Sequence, residues 1–68
     1  MKAKEIGMRL AELREAKGQT KRFVAREMGV SYSSYCQWEY GIKVPGDDAK
    51  IKIARYFGVT VGSLFYAE

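Results

Sequence analysis

The sequence predicts a small all-α domain organised around a helix-turn-helix, and three observations carry that prediction. Between Thr20 and Glu39 two short helical periodicities follow one another, Val24, Ala25 and Met28 before Gly29, then Tyr35 and Trp38 after Ser31. Ala25 stands where two helices crossing at about 90–120° leave room only for a small side chain, and Gly29 stands in the turn between them. Ahead of this pair, Ile6, Leu10 and Leu13 recur at the i, i+4, i+7 spacing of an amphipathic helix.

Length and composition set the frame. A chain of 68 residues at 47% hydrophobic content can bury one modest core, so residues 1–68 are read as a single domain. One cysteine cannot form an internal disulfide, and the absence of histidine removes the commonest zinc ligand, so neither a metal nor any other cofactor is expected. With no leader and no apolar run near eighteen residues, the expectation is a cytoplasmic, nucleoid-associated protein without a membrane partner. The net charge of +4 is mild, but it is concentrated: Arg14, Lys17, Lys21, Arg22 and Arg26 face only Glu15 within their stretch. A basic stretch beside a helix-turn-helix points to phosphate.

The first helix is expected over Ala3 to Lys17, with Glu5 and Arg9 as a favourable i, i+4 pair. Gly7 in its interior costs roughly 1 kcal/mol relative to Ala, which implies that another backbone comes close there. Gly18 closes this helix and Thr20 caps the second, from about Lys21 to Met28. Ser31 caps a third helix from about Tyr32 to Glu39, ended by Tyr40 and Gly41. Ile42 to Pro45 reads as an extended loop, since proline biases the residue before it away from helix. Gly46, Asp47 or Asp48 then caps a fourth helix, whose Ile51, Ala54 and Phe57 should face the core with Ile53 beside them. Gly58 stops it, and Thr60 caps a short fifth helix through about Tyr66 that buries Val61, Leu64 and Phe65.

Two features suggest what the pair of central helices meets. Lys21 and Arg22 occupy the first turn of the second helix, where the dipole disfavours cations by about 0.3–1 kcal/mol each. A DNA phosphate at that helix start would compensate them. On the third helix Tyr32, Ser33, Cys36 and Gln37 share the face opposite Tyr35 and Trp38. Gln37 can pair bidentately with adenine in a major groove, Ser33 can bond several base edges, and Tyr32 can reach a phosphate or touch a thymine methyl. Lys43, just past this helix, is a further phosphate candidate. Cys36 has no cation next to it in sequence, so it reads as a small residue tolerated near the groove rather than a redox sensor.

These residues carry a resemblance. RLAELREAKG near the start, the Ala25, Gly29, Val30, Ser31 series, WEYG at 38–41, Pro45 and IARYFGVTVGSLF at 53–65 together resemble the Cro/phage-repressor (Xre-type) helix-turn-helix family. The resemblance implies a compact five-helix lambda-repressor-like DNA-binding domain, with helices two and three as the helix-turn-helix. By position it implies DNA-facing roles for Lys21, Tyr32, Ser33, Ser34 and Gln37, with Tyr40 and Lys43 near the DNA backbone. It implies an internal ion pair between Arg14 and Glu39, so Glu39→Ala should destabilise the fold far more than Glu68→Ala. Lys21 departs from the Gln that the family favours there. Phe23 stands at a usually polar position, either as a partner's anchor or folded against the first helix.

The functional expectation is a sequence-specific DNA-binding transcriptional regulator, a repressor of phage or mobile-element type. Base-reading falls to Tyr32, Ser33, Cys36 and Gln37, and phosphate contact to Lys21, Arg22, Ser34, Tyr40 and Lys43. Its partner is double-stranded DNA carrying a palindromic operator, bound as a homodimer, with no small-molecule ligand. The competing expectation is a protein-interaction module on the same fold, an antitoxin or anti-repressor. Catalysis has little to build on without a histidine, a base for the cysteine or a glycine-rich phosphate loop, so no enzyme is expected.

Overall fold

Five helices follow one another: α1 (Ala3–Ala16), α2 (Lys21–Met28), α3 (Tyr32–Glu39), α4 (Asp47–Phe57) and α5 (Val61–Phe65). The computed structural model describes residues 2–66, and Glu68 lies outside them. Each helix sends one fully buried large side chain to the centre: Leu10, Val24, Tyr35, Ile53 and Phe65. Burial of each such side chain is worth about 1.5–3 kcal/mol, so no helix holds its place without the others. Leu13, Val30, Phe57, Val59 and Val61 pack around this centre at partial burial.

The caps explain where the elements begin. The Thr20 hydroxyl accepts from the Phe23 amide at 3.1 Å, the Ser31 hydroxyl from the Ser34 amide at 3.1 Å, and the Thr60 hydroxyl from the Ser63 amide at 3.0 Å. Gly46 precedes α4 without a side-chain cap, and Asp47 and Asp48 occupy the first turn, where negative charge suits the dipole. The turn between α2 and α3 passes through Gly29 at φ 76°, a conformation that residues with a Cβ rarely adopt.

Gly7 lets the backbones of α1 and α3 come close together. A methyl group placed there would run into the carbonyl oxygen of Glu39 and come within 2.7 Å of that of Trp38. The backbone contact inferred from a helix-interior glycine is therefore the C-terminal turn of α3 itself.

Three expectations need correction. α1 ends at Ala16, and Lys17 serves as its cap. Arg9 does not settle on Glu5; its guanidinium donates to the Ser63 carbonyl at 2.6 Å and ties α1 to α5. Ile51 is 46% exposed while Ile53 is fully buried, because α4 is rotated so that Ile53 and Ala54 point inward. That rotation brings the Lys50 ammonium to the Tyr66 hydroxyl at 2.9 Å and over the Phe65 ring at 5.5 Å.

Candidate nucleic-acid interface

The outward face of α3 is set from behind. Tyr35 and Trp38 fill the inward side, with their rings edge-to-face at a centroid distance of 6.1 Å. Arg14 fixes the end of α3 by a two-pronged ion pair, Nε to Glu39 Oε2 at 2.7 Å and Nη2 to Glu39 Oε1 at 3.2 Å. Its third prong, Nη1, donates to the Gln19 carbonyl at 2.9 Å, just ahead of α2. One guanidinium thus joins α1, the approach to α2 and the end of α3. The two side chains are only 14% and 3% exposed, and Glu39 raises the Arg14 pKa above its ordinary value. The charge of Arg14 is therefore taken up inside the protein and is not offered to a partner, which reduces the basic surface counted from the sequence.

With its back held, α3 turns Tyr32 and Ser33 to solvent, with Cys36 and Gln37 half-buried. The Ser34 hydroxyl accepts from the Ser31 hydroxyl at 2.8 Å, which leaves its own proton for an outside acceptor. The Gln37 backbone carbonyl accepts from the amides of Ile42 at 3.0 Å and Lys43 at 3.3 Å. Those bonds fasten the loop that carries the exposed Lys43 to the last turn of α3.

Among the described residues the first-turn cations of α2 meet no anion, and each meets a tyrosine instead. The Lys21 ammonium donates to the Tyr40 hydroxyl at 2.8 Å and lies 4.4 Å from the centre of its ring. That hydroxyl holds the proton on Lys21, raising its pKa. The Arg22 guanidinium lies 4.4 Å from the centre of the Tyr32 ring. Neighbouring cations therefore reach opposite ends of α3, Arg22 its first residue and Lys21 the residue just past its last. Tyr40 remains 61% exposed, so its pair with Lys21 stands at the surface.

These cation–tyrosine pairs are what the sequence did not announce. Periodicity assigns faces within one helix and gives no distance between side chains on two helices. The available signal was a helix start with cations in place of acids, together with tyrosines at both ends of its neighbour. Phe23 is 37% exposed beside Gly18, Gln19 and Thr20, and carries the Arg26 guanidinium at 5.3 Å from its ring centre. Among the described residues no helix is long and apolar enough to cross a membrane.

Comparison with curated proteins and with solved structures returned no match. A family model described as helix-turn-helix matches residues 10–64, which takes in the second half of α1, all of α2, α3 and α4, and most of α5. The helix-turn-helix geometry at α2 and α3 and this match agree, and the chain belongs to the Cro/repressor-type (Xre-like) helix-turn-helix family of DNA-binding regulators.

Proposed function

We propose that the protein is a sequence-specific transcriptional regulator, a repressor of phage or mobile-element type, that enters the major groove with α3. The observation that carries this reading is the face formed by Tyr32, Ser33 and Gln37, bordered by Lys21 and Arg22 from α2 and by Lys43 from the following loop. Lys21, Lys43 and the hydroxyls of Ser34 and Tyr40 meet phosphates and set the register, which supplies affinity without sequence information. The Gln37 amide, with one donor and one acceptor side by side, matches the N6 and N7 edge of adenine, and Ser33 and Cys36 line the groove beside it.

A helix of eight residues spans about 12 Å and meets few bases, so one copy discriminates weakly. The protein accordingly acts as a homodimer on a palindromic operator and represses by occupying it.

Selection from a random duplex pool, with a salt titration on the products, tests this reading. The expected result is an enriched palindrome and affinity that falls steeply with salt. Lys21→Ala should lower affinity on every duplex, while Gln37→Ala should reduce the preference for the enriched sequence. A pool without enrichment, bound weakly and released at moderate salt, overturns the reading.

A further inference from the structure

We propose that Arg22 is a positioning residue for base recognition, holding the Tyr32 ring at the start of α3 so that its open edge reads the C5 methyl group of a thymine. This inference rests on α3 lying in the major groove.

Tyr32 is the first residue of α3 and is 42% exposed, so an isolated ring there would sample several orientations. The contact with Arg22 limits that freedom. The Arg22 guanidinium sits 4.4 Å from the ring centre and covers part of its surface, a contact in which a planar, delocalised cation can stack where a compact ammonium cannot. Cys36 lies one helical turn on along the same face, and the nearby thiol raises the pKa of the Tyr32 phenol. With the guanidinium against part of the ring, apolar ring edge remains open to the groove. An apolar edge fits the thymine methyl, the one apolar group a base pair displays in the major groove.

The placement of Arg22 supports the same conclusion. α2 has no acid in its first turn, and a cation there works against the helix dipole. Lys21, the adjacent cation, reaches the other end of α3 and engages Tyr40. The two cations thus serve different tasks, Lys21 at the DNA backbone and Arg22 at the reading ring.

Replacing each thymine of the selected operator in turn by uracil removes only the methyl group. The wild-type protein should lose about fourfold affinity at one position per half-site, the value of one buried methyl. Tyr32→Ala should abolish that difference, and Tyr32→Phe should keep it. Arg22→Ala should also erase most of it, the double variant Arg22→Ala/Tyr32→Ala should add nothing further, and Arg22→Lys should keep the salt dependence yet still fail to discriminate. Melting temperatures of all variants should match the wild type, since both side chains lie at the surface. An Arg22→Ala variant that binds every duplex less tightly, with a salt slope lower by about 0.9 and an unchanged thymine-to-uracil ratio, would make Arg22 a phosphate contact and overturn the proposal. A flat uracil scan on an operator that the pool still enriches overturns it too and leaves major-groove reading intact. A pool with no enriched operator overturns both.

Discussion

Arg14 donates to three acceptor atoms on two other parts of the chain, and only the Glu39 carboxylate among them is charged. Truncating either partner strands the other ion away from water, which costs about 3–5 kcal/mol. Domains of this size have total stabilities of about 3–10 kcal/mol, so Glu39→Ala should lose half or more of its folded fraction at modest urea concentrations. Glu27 offers the matching control, because its contact with Arg26 spans 3.9 Å at the surface and such pairs contribute about 0–1 kcal/mol. Urea midpoints for the two variants should differ clearly; equal midpoints would mean that the Arg14 pair is dispensable. Tyr35, beside this pair, is fully buried, and its hydroxyl has no hydrogen-bond partner among the described residues. Burial pushes its phenol well above the ordinary tyrosine range, and the Glu39 carboxylate adds to the shift. The unfolded chain releases this proton near pH ~10 while the folded chain keeps it, so the contribution is complete below that pH and is lost as pH rises further. Tyr35→Phe should remove this alkaline loss and, by deleting an unpaired buried hydroxyl, should raise stability at neutral pH by about 1 kcal/mol. Denaturant midpoints at neutral and alkaline pH measure both effects, and a destabilised Tyr35→Phe would show that the hydroxyl has a partner.

At the level of the elements, Gly7 separates helix propensity from packing. Alanine is the better helix former by about 1 kcal/mol. A Cβ at this position meets two carbonyl oxygens of α3, which are backbone and cannot step aside as a flexible side chain would. Forcing α1 away from α3 costs about 1–3 kcal/mol and strains the Arg14–Glu39 contact, so Gly7→Ala should destabilise despite its propensity. Thermal melts of Gly7→Ala check the sign, and a gain in melting temperature would contradict the close approach. The sequence was legible here because a glycine inside a strong amphipathic pattern has few explanations. The bounds of α2 and α3 were equally legible, since Thr20, Gly29 and Ser31 are each a local signal for starting or stopping a helix. α4 was misread for the same physical reason in reverse. Ile51, Ile53, Ala54 and Phe57 offer more apolar positions than one stripe needs, and only packing against α2 and α5 selects Ile53 over Ile51. On the candidate interface, helical spacing puts Tyr32 and Ser33 at the surface, where they lie, while Cys36 and Gln37 are half-buried. The pairing of Arg22 with Tyr32 and of Lys21 with Tyr40 depends on the angle between two helices, and single-helix periodicity contains no such angle.

The described residues together measure 27 × 23 × 21 Å, shorter in every direction than the roughly 34 Å of one DNA turn. A single copy can therefore present α3 to one stretch of major groove and cannot reach the next stretch on the same face of the duplex. In the proposed homodimer two copies read two such stretches, and a two-fold axis between them would make the operator palindromic. The proposed dimer fixes a phase as well as a spacing. With half-site centres about one turn apart, both reading helices meet the same side of the DNA. Inserting about five base pairs between the half-sites rotates one of them by half a turn and carries it to the opposite side. Binding to the altered duplex should fall to the level of a single half-site, while an insertion of about ten base pairs should restore the facing and recover only what the dimer contact can stretch to allow. The number of protein copies per duplex, followed by sedimentation alongside the affinity, should drop from two to one on the half-turn insertion. Equal affinity and equal stoichiometry across all three spacings would mean that the copies bind independently and that no fixed dimer sets the register.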